Sequence, residues 1–394
     1  MSPSRCSAQC AISLRVVSLS RILVVGAGFA GAVYARELAE SGFEVDVIDK
    51  RPHIAGNCFD YLHPCGVRVH KYGPHLFHTS NQRVVDWLSR FTEWLPYEHR
   101  VVARLPDARL VPMPVNLDTV NEVFGTALAT PEDVAALLAS KSVPRVPVIS
   151  AEDHLYSHLG PELTNLFFRP YTLKMWAMDL TETDAAVVRR LQIRTDRDNR
   201  YFPGDSFQAM PAEGFTKIFE RILDHDRIAV RLSETFSAEV AADYDACFNS
   251  MPIDEYYGFD LGELPYRSIR FHLGEVAAES AMPHAVINYT DDGPYTRETW
   301  WHMIAGHNVS PGSTVLRTVE EPCDYRENGF ERYYPVKTRD GRYDALYRRY
   351  AERAAGDKHM FFIGRCGTYQ YLDMHQVINQ TLTHAGKWLS GEPS

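Results

Sequence analysis

The apolar positions near the start of the chain form two short runs flanking one helical stripe. Ile22 to Val25 is a continuous apolar run, too short for a helix, and predicts a buried parallel strand. Val33, Leu38 and Ala39 then fall on one face of a predicted helix, and a second strand runs from Phe43 to Ile48, closing on Asp49. Val67 and Val69, alternating with Arg68 and His70, predict a further strand. A helix is expected from Asn81, with Ser80 as its N-cap and Val84, Val85, Leu88 and Phe91 on one face.

Between residues 85 and 180 the periodicity becomes helical, most clearly where Leu155, Leu159, Leu163 and Phe167 recur every fourth residue. Alternating, β-like segments follow in "ESAMPHAVINYTDDGPYTRETWWHMI", "GSTVLRTV" and "RYYPVKT", while "ADYDACFNSMPIDEYY" reads as a strand returning to the first unit. These patterns predict an α/β fold with a helical insert and an antiparallel-sheet domain built into a nucleotide-binding domain. The expected division is a disordered extension over 1–20, the nucleotide domain over 21–84 and a helical insert over 85–180. Residues 181–225 and 256–339 form the sheet domain, and 226–255 with 340–394 return to the nucleotide domain.

The turn between the first strand and its helix carries the first chemistry. Gly26-Ala27-Gly28-Phe29-Ala30-Gly31 is a dinucleotide fingerprint in its required strand–turn–helix context. Gly26 makes the turn, Gly28 lets a pyrophosphate approach the backbone, and Gly31 lets helix pack on strand. The helix N-terminus offers free N–H groups to phosphate, and Asp49 suits ribose hydroxyls. After Asp49 comes "KRPHIAGN", with Lys50, Arg51, Gly56 and Asn57. This basic, glycine-containing turn, without a second GxGxxG, favours FAD over NAD and a Rossmann-like domain of the glutathione-reductase type.

Composition narrows the function classes. The 394 residues are 45% hydrophobic and 23% charged, as in a globular protein. A net charge of -10 without a basic stripe argues against nucleic-acid binding, so any anionic ligand must be held by a few local arginines. Seven cysteines without paired spacing fit a reduced cytoplasmic protein, and no apolar run approaches the roughly 18 residues of a membrane span. His70, His75 and His78 lie close in sequence but match no zinc-binding pattern, so no metal site is expected.

From residue 20 onward the chain resembles the flavin-dependent UDP-galactopyranose mutases. The resemblance rests on "VVGAGFAG", "KRPHIAGN", "VHKYGPHLFHTSN", "PYTLKMW", "RRLQIRTDRDNRYF", "NYTDDGPYTR", "YYPV" and "GRCGTYQYLDMH", in that order. It implies an isomerase that interconverts pyranose and furanose forms of a nucleotide sugar, in carbohydrate biosynthesis, with FAD active only when reduced. In that family the flavin N5 bonds to the anomeric carbon while the nucleoside diphosphate departs. An electron donor such as NAD(P)H is then needed, and a homodimer is implied by analogy with bacterial members.

The resemblance also implies residue roles. Arg190 and Arg297 fall on the family's phosphate arginines, whose planar guanidinium suits a diphosphate. Tyr201, Tyr334 and Tyr371 fall on its phosphate-binding tyrosines, with Asp373 near the sugar and flavin. Tyr171 falls on the base-stacking aromatic, with Phe167, Thr172 and Trp176 beside it and Asn288 on the nucleotide side. His75 aligns with a residue at the flavin's reactive edge, and Arg365, Tyr371, Leu372, Asp373 and Met374 belong to the flavin-binding segment. The catalytic set is thus Arg190, Arg297, His75, Tyr334, Tyr371 and Asp373.

Departures from the family pattern are "ETWWHMI" after Arg297, "VLRTVEEP", Pro74 before His75, "LQIR" and "AEGFT". They suggest a changed sugar or base, such as a 6-deoxyhexose on dTDP or GDP in an apolar pocket that includes Trp300 or Trp301. The alternative is an FAD-dependent oxidoreductase of the amine-oxidase type, which would need no diphosphate clamp.

Overall fold

In the computed structural model, which describes residues 20–189 and 193–392, the first apolar run becomes the strand Arg21–Val25. It is the middle strand of a five-stranded parallel sheet, flanked by Glu44–Asp49 and Ile228–Leu232 on one side and by Ala246–Asn249 and Met360–Phe362 on the other. Ile22, Leu23 and Val24 are fully buried, as expected where helices cover both faces of a parallel sheet. The helix Phe29–Glu40 crosses this sheet and packs against the helices Phe215–Leu223 and Met374–Ser390.

A seven-stranded mixed sheet forms the second layer. Its order is Tyr334–Pro335, Tyr266–Ala277, Thr314–Asp324, Arg297–Trp300, Val286–Tyr289, Val101–Arg104 and Leu110–Met113. All neighbours are antiparallel except Val286–Tyr289 with Val101–Arg104. Helices over Leu117–Phe124, Pro131–Lys141 and Ala151–Leu163 share a separate core built on Leu155, Leu159, Leu163 and Phe167. The regular spacing of those four residues survives a kink at Gly160 and a π-helical turn over Thr164–Phe168.

Several expected elements differ. The helical insert expected over 85–180 also contains the strands Trp94–Pro96, Val101–Arg104 and Leu110–Met113. Val101 and Ala103 are buried while Arg104 is exposed, so a period of two prevails over four residues too few to set a helix. Asn81, not Ser80, is the N-cap of the helix Gln82–Leu88. Phe215–Leu223, expected in the antiparallel-sheet part, instead buries Phe215, Ile218, Phe219 and Ile222 beside Phe29 of the first helix. Its first amides are held by the buried Asp60, whose carboxylate accepts from Phe215 N at 2.7 Å and Thr216 N at 2.9 Å.

Candidate active site

A cavity of about 760 Å³ lies where the glycine turn, the inward face of the seven-stranded sheet and the helix Arg169–Trp176 converge. Its glycine end is shaped by close backbone contacts. Gly26 has φ +100°, and a Cβ there would meet Ser250 Oγ at 2.0 Å; a Cβ on Gly31 would meet Gly26 O at 1.8 Å. The helix Phe29–Glu40 begins without a side-chain cap and without an acidic residue in its first turn, so its leading N–H groups stay open to an anion.

Arg365 approaches from the C-terminal segment. Its guanidinium carbon lies 5.3 Å from the Tyr334 ring centroid and 5.0 Å from that of Tyr371, while Nε and Nη2 are buried and have no acceptor among the described residues. A buried cation with open donors suits an anionic ligand. The segment carrying it is tied down behind the cavity: Tyr369, fully buried, puts its hydroxyl 2.8 Å from Val336 O and 3.0 Å from Pro265 O, and Tyr266 donates to Cys366 O at 3.1 Å. Asp373 is the N-cap of the helix Met374–Ser390, and its N–H donates to Gln376 Oε1.

The polar row on the sheet follows from strand register. Asn288, Arg297 and Glu320 sit opposite one another on three adjacent strands. Arg297 Nε lies 2.7 Å from Glu320 Oε2, an ion pair whose N–H does not point along the line between them. Burial pushes the Glu320 carboxyl up and Arg297 draws it back, while the same carboxylate strengthens the charge on Arg297 against its own burial. Around Arg297, burial pushes the Tyr171 phenol up to about 12 and raises that of Tyr334 further, so both stay protonated hydrogen-bond donors at neutral pH. Tyr334 stacks on Tyr371 and meets Trp176 edge-on.

His75 stands in a turn with a supporting histidine behind it. Its backbone N–H donates to His70 Nδ1 at 3.0 Å, and its own Nδ1 lies 2.9 Å from Gly73 O. His70 Nε2 therefore carries the proton and meets His307 Nε2 at 2.9 Å, while His307 Nδ1 reaches Ala305 O. Burial lowers all three imidazoles, His75 and His307 to about 4, and holds them neutral. Trp301 stacks on His307 and is fully buried, and Trp300 belongs to a separate apolar cluster. Neither tryptophan lines the cavity, so the altered stretch after Arg297 supports the histidine turn from behind and builds no apolar sugar pocket.

The structure thus brings most sequence-predicted site residues to one wall or another of this cavity. Gly28, Phe29, Ala30, Gly31, Asn57, His75, Phe167, Tyr171, Thr172, Trp176, Tyr201, Asn288, Arg297, Tyr334, Arg365, Tyr371, Leu372, Asp373 and Met374 all line it. Gly26 and Gly56 shape the turn from just outside. Asp49, Lys50 and Arg51 do not line it. The Asp49 carboxylate accepts from Ala27 N at 2.8 Å and Arg51 N at 2.9 Å, Arg51 is engaged by Glu331 and Asn57, and Lys50 is exposed. Arg190 lies outside the described residues.

Sequence reasoning gave no site role to three further residues. His99 lines the cavity beside Tyr201, its Nδ1 3.1 Å from Tyr97 Oη and its imidazole held neutral by burial. His78 lies flat on Phe202 and is paired with Asp205 at 2.6 Å, both facing the cavity. Glu320 was legible in principle: Leu316, Thr318 and Glu320 alternate inward, and a carboxylate on a buried face requires a cation.

The chain matches the family model for UDP-galactopyranose mutase over residues 166–371, and that for an NAD(P)-binding Rossmann-like domain over residues 24–91. It is 37% identical to a probable UDP-galactopyranose mutase of Klebsiella pneumoniae over 94% of each chain. It is 33% identical to a dTDP-fucopyranose mutase of Escherichia coli, over 92% of this chain and 97% of that one. A crystal structure of reduced UDP-galactopyranose mutase superposes with a TM-score of 0.72 at 17% identity, covering 94% of both chains.

Proposed function

The chain belongs to the UDP-galactopyranose mutase family, and from that premise we propose that it is an isomerase interconverting the pyranose and furanose forms of a nucleotide sugar. The observation that carries the reading is the convergence of Arg297, Tyr171, Tyr334 and Tyr371 on the same cavity as the glycine turn. A nucleoside diphosphate needs fixed cationic and hydroxyl donors, and a net-redox enzyme acting on a C–H bond does not. The oxidoreductase alternative has no such use for this cluster.

The resident cofactor in this reading is FAD, held in a domain of the glutathione-reductase type. Three features fit it: the uncapped helix N-terminus behind Gly28, the close approach of Gly28 and Gly56, and the open Arg365 donors. When bound and reduced, a flavin supplies the nucleophile for the anomeric carbon, with a reduced nicotinamide nucleotide as the source of electrons. The chain's own residues do the rest. Arg297 with Tyr201, Tyr334 and Tyr371 binds the diphosphate and keeps it close after it detaches. Tyr171 and Phe167 flank the base, and buried Trp176 and Met175 limit water. Neutral His75, with Nδ1 committed to Gly73 O, offers Nε2 as an acceptor.

The test is incubation of dithionite-reduced enzyme with UDP-galactopyranose and, in parallel, with a dTDP-linked 6-deoxyhexopyranose, the two substrate classes named among its relatives. The expected result is a furanose product with many turnovers per reduced flavin. An oxidised product formed once per flavin would overturn the mutase reading.

A further inference from the structure

We propose that Glu320 is a positioning residue of the diphosphate site, holding Arg297 by its Nε edge and bracing the Gly73–His75 turn with its second oxygen; this rests on the mutase reading above.

Three observations carry it. Glu320 is 1% exposed, and its one cationic partner among the described residues is Arg297, which the strand register sets directly across from it. Arg297 Nη1 and Nη2 have no acceptor among the described residues, and the side chain keeps 25% of its surface open. The guanidinium is therefore gripped along one edge while its far end remains available for two parallel bonds to a phosphate. Finally, Glu320 Oε1 is buried without a donor and lies against Gly73, where a Cβ would stand 3.1 Å from it. Gly73 has φ +79°, and its carbonyl oxygen receives His75 Nδ1. One carboxylate thus touches both the arginine that meets the diphosphate and the turn that presents His75.

A carboxylate beside a dianionic leaving group is electrostatically unfavourable for ground-state binding. Its presence makes sense if its contribution is geometric: without it, the guanidinium would be free to rotate toward whatever anion is nearest. A residue that merely stabilised the fold would weaken binding and turnover together. A positioning carboxylate separates them.

The experiment measures UDP and dTDP affinity by calorimetry alongside kcat and KM for the reduced enzyme, in wild type, Glu320→Gln and Glu320→Asp. For Glu320→Gln, diphosphate affinity is expected within about threefold of wild type or tighter, with kcat lowered about tenfold or more. Glu320→Asp keeps the charge but withdraws it from Gly73, and an intermediate kcat is expected. Should Glu320→Gln fail to fold, the Asp variant alone decides, since wild-type kcat there removes the bracing contact. Unchanged kcat in the Gln variant, or a parallel loss of affinity and kcat, overturns the proposal. A wild-type enzyme that binds the diphosphates but does not isomerise the sugars would instead overturn the mutase reading.

Discussion

The rings of Tyr334 and Tyr371 stack 5.3 Å apart with their planes tilted by only 16°, although one residue sits on a sheet strand and the other on the C-terminal segment. The stack joins the sheet wall of the cavity to the glycine-turn wall, and Arg365 lies against both rings. Tyr371→Phe keeps the ring and removes only the hydroxyl, so kcat/KM is expected to fall about tenfold with flavin content unchanged. Tyr371→Ala also removes a face from Arg365, and the flavin absorbance per mole of purified protein should drop. Full flavin retention in the Ala variant would separate Tyr371 from the cofactor wall.

Arg297→Ala removes the open guanidinium and leaves Glu320 buried without a cation. The expected loss in kcat/KM is on the order of 2–5 kcal/mol, by analogy with truncated buried charge pairs. Arg297→Lys restores charge but not the paired donors, and recovery is expected to be partial. Steady-state kinetics on the reduced enzyme checks both, and wild-type kcat/KM in the Ala variant would take Arg297 out of the site.

Acid should destabilise the fold through the neutral histidines behind the His75 turn. His70 faces Asp60, Arg68, His75 and His307, and burial lowers it well below its ordinary value. His307 is lowered to about 4. In the unfolded chain these groups protonate near the ordinary histidine value of about 6.5, so the unfolded state takes up more protons as pH falls. Stability is fully present above that value and declines as pH drops toward 4, by about 2 kcal/mol for His307 alone at pH 5. Thermal unfolding between pH 7.5 and 5 should therefore show a falling Tm, less steep in His307→Gln. A flat profile in the wild type would contradict the buried, neutral assignment.

Gly31→Ala tests the glycine turn. The added Cβ would overlap the Gly26 carbonyl oxygen, which is backbone and cannot swing aside. Loss of bound flavin and a drop in Tm of several degrees are expected, and a variant with normal flavin content and Tm would be inconsistent with the packing.

Legibility in the sequence followed the range of the interaction that fixes each residue. The strand–turn–helix around Gly26 to Gly31 is local, so spacing alone exposed it. Arg297, Tyr334 and Tyr371 are remote in sequence and were reached through motif resemblance, which carries long-range geometry that periodicity does not. Glu320 belongs to no motif; alternation marks it as inward-facing, but that Arg297 is its partner appears only once register sets the two opposite. Asp49 was legible from its place at the end of the second strand. That position suggests a ribose contact, and the structure adds that each carboxylate oxygen also accepts from an amide of the turn, Ala27 or Arg51. Trp300 and Trp301 misled because a large aromatic in an altered stretch suits a pocket or a core equally well, and here both are core.

The segment from Gly364 to His375 decides how the cavity closes during folding. Met360–Phe362 is an edge strand of a sheet whose middle strand is Arg21–Val25, and Met374–Ser390 packs on the helix that follows that strand. Arg365, Tyr371 and the helix that Asp373 caps therefore reach the glycine turn only through a pairing remote in sequence, whereas the turn itself is local. Closing so long a loop is entropically costly and slow, so this wall of the cavity is expected to form after the glycine turn.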